Sequence, residues 1–249
     1  MAFVLETRKL CKSFGALTVA DGIDFRLAPG ARHALIGPNG AGKTTFVNML
    51  TGVLAPTSGQ IFLNNEEVTG TSEAKRVRRG LGRTFQINTL FRSLPVLDNV
   101  ALAVAERSGL ATRLWRPASA HREVIDESRA LLARLGLAED AGRRVADLPY
   151  GKQRLVEIAI ALGMKPRVLL LDEPAAGVPS HESTRIVEVL QSLPAEIAIL
   201  IIEHDMDLVR RFARRITVLT AGAVLTEGTP DEVMHDQRVR DVYLGELHA

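Results

Sequence analysis

One stretch restricts this chain more than any other: Gly37-Pro38-Asn39-Gly40-Ala41-Gly42-Lys43-Thr44-Thr45. An apolar run, Ala34-Leu35-Ile36, leads in and reads as a buried strand; Phe46-Val47-Asn48-Met49-Leu50 leads out and reads as a helix. The spacing G-x-x-x-x-G-K-S/T between a strand and a helix is that of a phosphate-binding P-loop. Its glycines let the backbone turn tightly and aim several N–H groups inward. The positive end of the following helix adds to that cradle. Lys43 would reach the β- and γ-phosphates of a nucleotide, and the Thr44 hydroxyl would ligate Mg2+. The competing account, a Gly-rich turn with an accidental lysine, leaves the flanking strand and helix unexplained. The loop says nucleotide; it does not say what the nucleotide is for.

At 249 residues the chain suits one large domain, or a domain with a subdomain. Its 46% hydrophobic content supports a substantial core. Lys+Arg 31 against Asp+Glu 29 leaves a formal +2, which argues against a nucleic-acid partner. The clusters Lys75-Arg76-Val77-Arg78-Arg79 and Arg210-Arg211…Arg214-Arg215 read as solvated helix faces. Cys11 is the only cysteine, so no intrachain disulfide forms, which fits a reducing compartment. It reads as a small core residue. The N-terminus lacks a signal-peptide pattern. The longest apolar runs, such as Ile197 to Ile202, are too short to span a bilayer. The chain is expected to be soluble, and a membrane role would need a partner.

In chain order, Phe3 to Leu10 reads as a strand, Phe14 to Val19 as a loop, and Ile23 to Leu27 as a second strand. These short strands suggest an antiparallel sheet beside the nucleotide core. Phe14 is either an aromatic that stacks on a base or a core residue. Gly59 to Leu63 is a strand, Glu73 to Arg79 a charged helix, and Leu81 to Phe85 a strand that ends at Gln86. A glutamine there can ligate Mg2+ or hold a water. From Phe91 to about Leu162 the pattern is helical, broken by an irregular insertion around Trp115. His121 to Leu135 reads as one of its helices. Leu148-Pro149-Tyr150-Gly151-Lys152-Gln153 opens another, whose Leu155, Ile158, Ala159 and Leu162 share a buried face.

Val168 to Leu171 is apolar throughout, as in a fully buried parallel strand, and ends in Asp172-Glu173. Asp172 would hold Mg2+ directly or through water. Glu173 would orient and deprotonate a water attacking the γ-phosphate. Two surface acids after a strand are the alternative. Ser180 to Leu193 reads as a helix. Ile197 to Ile202 is the next core strand and ends at Glu203-His204-Asp205. His204 is either structural or a link between Glu173 and the γ-phosphate. Ile216 to Glu227 forms a hairpin, and Thr229-Pro230 starts a short helix.

With the P-loop, Gln86, Leu148 to Gln153, Asp172-Glu173 and His204 in this order, the whole chain resembles the ATP-binding subunits of ABC transporters. The resemblance implies an α/β fold: a P-loop NTPase core with a mostly parallel sheet, an N-terminal antiparallel β subdomain and an inserted helical subdomain. The core would comprise residues 1–90 and 164–249, and the helical part residues 91–163. Phe14 would be the adenine-stacking aromatic and Gly37 to Thr45 the Walker A motif. Gln86 would be the Q-loop residue and Asp172 the Walker B aspartate. Glu173 would be the catalytic base and His204 the switch histidine. Leu148 to Gln153 would be the signature that caps ATP bound to the opposite subunit. Leu148-Pro149-Tyr150-Gly151, Glu173-Pro174-Ala175-Ala176-Gly177 and the tail Val242-Tyr243-Leu244-Gly245-Glu246 are similar to the insertion-bearing ATPases of branched-chain amino acid importers. Pro149 stands where the family's signature has serine, Tyr150 where it has a glycine, Lys152 where it has glutamine, and Pro179 where its D-loop has Asp or Asn.

The expectation is an ATPase with ATP and Mg2+ as cofactors. It would power uptake of branched-chain amino acids or a related small polar solute. A second ATP-binding subunit, permease subunits and, indirectly, a solute-binding protein would be its partners. The chain would sit on the cytoplasmic face of the plasma membrane. The rivals are a non-transport ABC ATPase, which would bring long coiled coils or two ATPase units, and a catalytically weak regulatory subunit, which the changes at Pro149 and Pro179 would suit. A P-loop kinase leaves Leu148 to Gln153 unexplained.

Overall fold

The computed structural model describes residues 3–84, 90–110 and 122–245. They fall into two compact units: Met1–Leu81, Arg167–Glu173 and Leu193–Ala249 form the first, Gly82–Pro166 and Pro174–Ser192 the second. The second unit is wider than the helical span 91–163 read from the sequence. It also takes in the segment after Glu173, where the chain leaves the sheet and enters a helix.

The first unit holds a four-stranded antiparallel sheet in the order β2-β1-β4-β5, with β1 Leu5–Phe14, β2 Leu17–Leu27, β4 Ser58–Leu63 and β5 Glu66–Glu67. A six-stranded sheet runs β10-β9-β3-β8-β7-β6, with β3 Arg32–Ile36, β6 Leu81–Thr84, β7 Val168–Asp172, β8 Ala198–Ile202, β9 Arg215–Thr220 and β10 Ala223–Gly228. Strands β9, β3, β8 and β7 are mutually parallel. Every residue of β3 and β8 is buried, as parallel strands covered on both faces require. Their pairing puts the carboxyl ends in one row: Leu35 lies beside Ile202, Ile202 beside Asp172, and Ile36 beside Val218.

Helix α1 (Lys43–Thr51) packs Phe46, Val47, Met49 and Leu50 into this core, and Phe46 meets Phe25 edge-on at 5.6 Å. It ends at Gly52, whose left-handed φ of 85° is the usual helix stop. Helix α2 (Glu73–Arg78) leaves Lys75, Arg78 and Arg79 exposed, as a solvated face would, but buries Arg76. Arg76 is 1% exposed and donates to Met49 O (2.6 Å), Leu50 O (2.7 Å), Thr69 O (2.9 Å) and Thr71 O (3.2 Å). The last turn of α1 presents carbonyls outward; Met49 O accepts the Gly52 N–H at 3.3 Å, and the guanidinium adds a bond to it and one to Leu50 O.

Residues 14–19 are not the loop expected. β1 continues to Phe14, which pairs with Leu17 at the start of β2 across a turn containing Gly15 (φ 58°). Cys11 is likewise not a core residue. It is half-buried, and its Sγ accepts the Gly22 N–H at 3.1 Å.

The second unit is helical. Helices α3 (Val96–Arg107), α4 (Arg122–Arg134), α5 (Tyr150–Gly163) and α6 (Ser180–Ser192) supply its core. On α4 the buried residues Val124, Ser128 and Leu132 recur every four positions, the spacing of one helix face. Arg107 grips both Glu127 oxygens and the Gly163 carbonyl, tying α3 to α4 and α5. The insertion around Trp115 and residue His121 lie outside the described residues. The remaining helices, α7 (Met206–Phe212), α8 (Pro230–His235) and α9 (Gln237–Gly245), belong to the first unit, and Thr229 with Glu232 forms a capping box at α8.

Candidate active site

β3 delivers the chain into Gly37 to Thr45 at the carboxyl edge of the sheet. Gly37, Gly40 and Gly42 take φ of 153°, 77° and 97°, the region glycine enters without strain. A Cβ on Gly42 would lie 2.5 Å from the Val19 carbonyl oxygen, and one on Gly37 would collide with Leu219 O. The loop is thus wedged between β2 and β9, with no room for side chains at either position. Pro38 is half-buried, Asn39 and Gly40 are exposed, and Ala41 is buried. Gly222 N–H donates to Ala41 O at 3.1 Å, fastening the loop to the β9–β10 turn. Lys43 Nζ folds back onto the carbonyls of Gly37 (2.5 Å) and Pro38 (2.8 Å). Phe46 N–H donates to Gly42 O at 2.8 Å, which opens the helical ladder of α1 directly after the loop. A loop of this shape at a helix N-terminus is able to cradle a phosphate.

The neighbouring strand ends supply acid and imidazole. Asp172 closes β7 level with Ile202. Glu173 follows with φ +46°, left-handed for a residue bearing a Cβ, and its N–H donates to Ile202 O at 2.9 Å. Such a conformation costs about 1–3 kcal/mol and persists only where surrounding structure fixes it. Here the β7–β8 ladder does so. The carboxylate is turned toward His204, whose Nδ1 lies 3.4 Å from Glu173 Oε1. Glu203, 2% exposed, accepts the His204 N–H at 3.2 Å. Asp205 caps α7 by accepting from Asp207 N–H and Leu208 N–H. The histidine is therefore held from both sides along the chain while its ring faces solvent.

Phe14 is 51% exposed, which excludes the core alternative. Backbone bonds link its hairpin to the loop: Asp21 N–H donates to Gly222 O, and Gly222 N–H to Ala41 O. The first unit thus assembles Phe14, the Gly37–Thr45 loop, Asp172, Glu173 and His204. Thr44 is exposed beside the cradle and Thr45 half-buried. Gln86 lies outside the described residues.

Leu148 to Gln153 belong to the second unit. Pro149 is the N-cap of α5, where its fixed φ and missing N–H cost nothing. It offers no capping oxygen, but the Glu182 carboxylate on α6 packs directly against Gly151, and a Cβ there would collide with it. Tyr150 lies under Gly177, and the Arg154 guanidinium sits 5.3 Å from the Tyr150 ring centroid. Lys152 Nζ pairs with Asp140 at 2.6 Å, and Gln153 Nε2 donates to the Leu148 carbonyl. Deeper in α5, burial pushes the Glu157 carboxyl up despite its ion pair with Arg154.

Sequence reasoning missed the buried position of Arg76 and the contact of Glu182 with Gly151; it also passed over Lys12, whose Nζ lies 5.0 Å from the Phe14 ring centroid and whose place two residues away puts it on the same strand face.

A family model described as ABC transporter matches residues 20–176. A second, described as branched-chain amino acid ATP-binding cassette transporter, matches residues 223–249. Over 98% of its length the chain is 38% identical to the high-affinity branched-chain amino acid transport ATP-binding protein LivG of Escherichia coli (strain K12), covering 98% of that protein. It is 38% identical, with the same coverage of both chains, to BraF, the corresponding protein of Pseudomonas aeruginosa. Among solved structures, the ADP conformation of an ATP-binding cassette of an ABC transporter matches with TM-score 0.87 and 30% identity, over 98% of this chain and 100% of that one. The chain belongs to the ATP-binding subunits of ABC transporters and is an ATPase.

Proposed function

We propose that this subunit powers an importer of branched-chain amino acids or a related small polar solute. The observation that carries the reading is similarity to LivG and BraF over 98% of each chain, reinforced by the branched-chain amino acid transporter model matching residues 223–249. In this reading two ATP-binding subunits, alike or different, clasp two ATP molecules. They drive permease subunits at the cytoplasmic face of the membrane, and a solute-binding protein delivers cargo from outside.

The geometry above supports the following residue roles. Phe14 stacks on the base. The amides of the loop Gly37-Pro38-Asn39-Gly40-Ala41-Gly42 and of Lys43, Thr44 and Thr45 bind the phosphates. Lys43 leaves its two carbonyls for the β- and γ-oxygens. Leu148 to Gln153, led by the Gly151 N–H, present the α5 N-terminus to ATP on the other subunit. The Thr44 hydroxyl and the Asp172 carboxylate would supply hard oxygen donors of the kind that suits Mg2+, which would neutralise charge on the β- and γ-oxygens; Gln86, the third ligand expected from the sequence, lies outside the described residues. Glu173 holds a water in line with the γ-phosphorus and takes its proton as the P–O bond forms; ADP leaves with the β–γ bridging oxygen. His204 keeps the Glu173 carboxylate aimed and donates to a γ-oxygen. The first unit acts as the nucleotide core and the second as the signature-bearing subdomain.

Glu173→Gln is expected to retain ATP binding and lose turnover at least a hundred-fold, on the order expected for a lost general base. Radiolabelled ATP binding beside phosphate release would check it, and a variant hydrolysing at the wild-type rate would remove Glu173 from the base role. Leucine uptake by vesicles holding the chain with its permease and binding protein tests the cargo.

A further inference from the structure

Lys12 and Phe14 project from the same face of β1. Lys12 Nζ stands 5.0 Å from the Phe14 ring centroid. It is held there by a 2.8 Å hydrogen bond to the Ala55 carbonyl. Two more bonds fix the same stretch: Ser13 N–H donates to Thr57 Oγ1 at 3.0 Å, and Thr57 N–H to Cys11 O at 2.9 Å. Thus a flexible lysine is restrained at both ends. Phe14 itself is half exposed, as is its cross-strand neighbour Leu17, in a strand whose Leu5 and Leu10 are fully buried.

An ammonium over one ring face is drawn to its negative quadrupole. It pulls π density toward itself and makes the opposite face less negative. A purine has electron-rich faces of its own, so it stacks on that opposite face with less repulsion. The cation also closes one face to the base and limits how the ring can turn. We propose that Lys12 is a positioning residue for the nucleotide base, acting through Phe14: it selects the ring face on which adenine lies and strengthens the stack. This rests on Phe14 being the base-stacking residue.

The test is equilibrium binding to the full chain, with Mg2+, of two probes: ATP, and inorganic tripolyphosphate, which has no base. Lys12→Met is expected to weaken ATP binding about two- to five-fold, the span of an exposed cation–π contact, and to leave tripolyphosphate affinity unchanged. Lys12→Arg restores ATP affinity. Phe14→Ala weakens ATP further and also spares tripolyphosphate. If Lys12→Met weakens both probes equally, the lysine acts on hairpin structure and the proposal is overturned. If Phe14→Ala lowers the ratio of the two affinities and Lys12→Met does not, Lys12 is excluded while the reading of Phe14 stands. If Phe14→Ala leaves the ratio unchanged, both fall.

Discussion

Arg76 shows how a single side chain can seal a helix end that Gly52 has already stopped. Its guanidinium, almost wholly buried, is held by carbonyls at the end of α1 and in the segment leading to α2. Burial lowers its pKa, and the carbonyls compensate for much of the lost water. Arg76→Met removes these buried donors, leaving Met49 O with the Gly52 N–H alone, so a loss of about 2–4 kcal/mol is expected. Urea unfolding would show it as a lower midpoint at unchanged slope. Arg76→Lys recovers little, because a point ammonium cannot span acceptors spread around a planar fork. None of this was legible in Lys75 to Arg79, where one arginine looks like the next. What buries Arg76 is a helix end about one turn of sequence beyond the P-loop, brought close only by the fold. Lys43 was legible for the opposite reason, since the glycines that define its surroundings are its immediate neighbours.

At the scale of elements, the parallel strands announced themselves. Runs such as Val168 to Leu171 have no polar face to present, so they go to the middle of a covered sheet. The β1–β2 hairpin did not, because Gly15 and exposed Phe14 and Leu17 interrupt the alternation by which a strand is recognised. The P-loop and α1 form one mechanical piece, and Gly42 is the joint. Gly42→Ala sets a Cβ 2.5 Å from a backbone oxygen of β2 at φ 97°, so neither partner can yield cheaply. A fall in ATP affinity of at least ten-fold, with about 2 kcal/mol of stability lost, is expected. Gly40→Ala serves as comparison: its φ is also positive, but its Cβ meets nothing within 4 Å, so it pays the backbone cost alone. Calorimetric titration of both variants with ATP would separate collision from strain.

For the molecule as a whole, pH dependence follows from a buried histidine in β3. His33 packs edge-on against Phe25 at 5.1 Å and its Nε2 lies 2.8 Å from Thr217 Oγ1, which donates to Glu227. Burial lowers its pKa from 6.5 to about 4, against a smaller opposing pull from Glu227. Between those values the unfolded chain takes a proton that the folded chain refuses. Stability is therefore whole above pH 6.5 and falls as pH drops toward 4, by about 3 kcal/mol in total. Denaturant titrations at pH 7.5, 5.5 and 4.5 would trace the fall, and His33→Asn should flatten it.

The row formed by Leu35, Ile202 and Asp172 also states where this chain can change length. The loop after Ile36, Glu173 and His204 all start within a residue or two of that row. One residue added inside β7 or β8 would turn the outgoing group to the other side of the sheet and carry it about 3.3 Å along the strand. The connections at the opposite ends of these strands carry none of the candidate site residues. Among descendants of this sequence, insertions and deletions should collect there and spare β3, β7 and β8, so that gap positions would outline the edge proposed to hold the nucleotide even if every side chain on it were hidden.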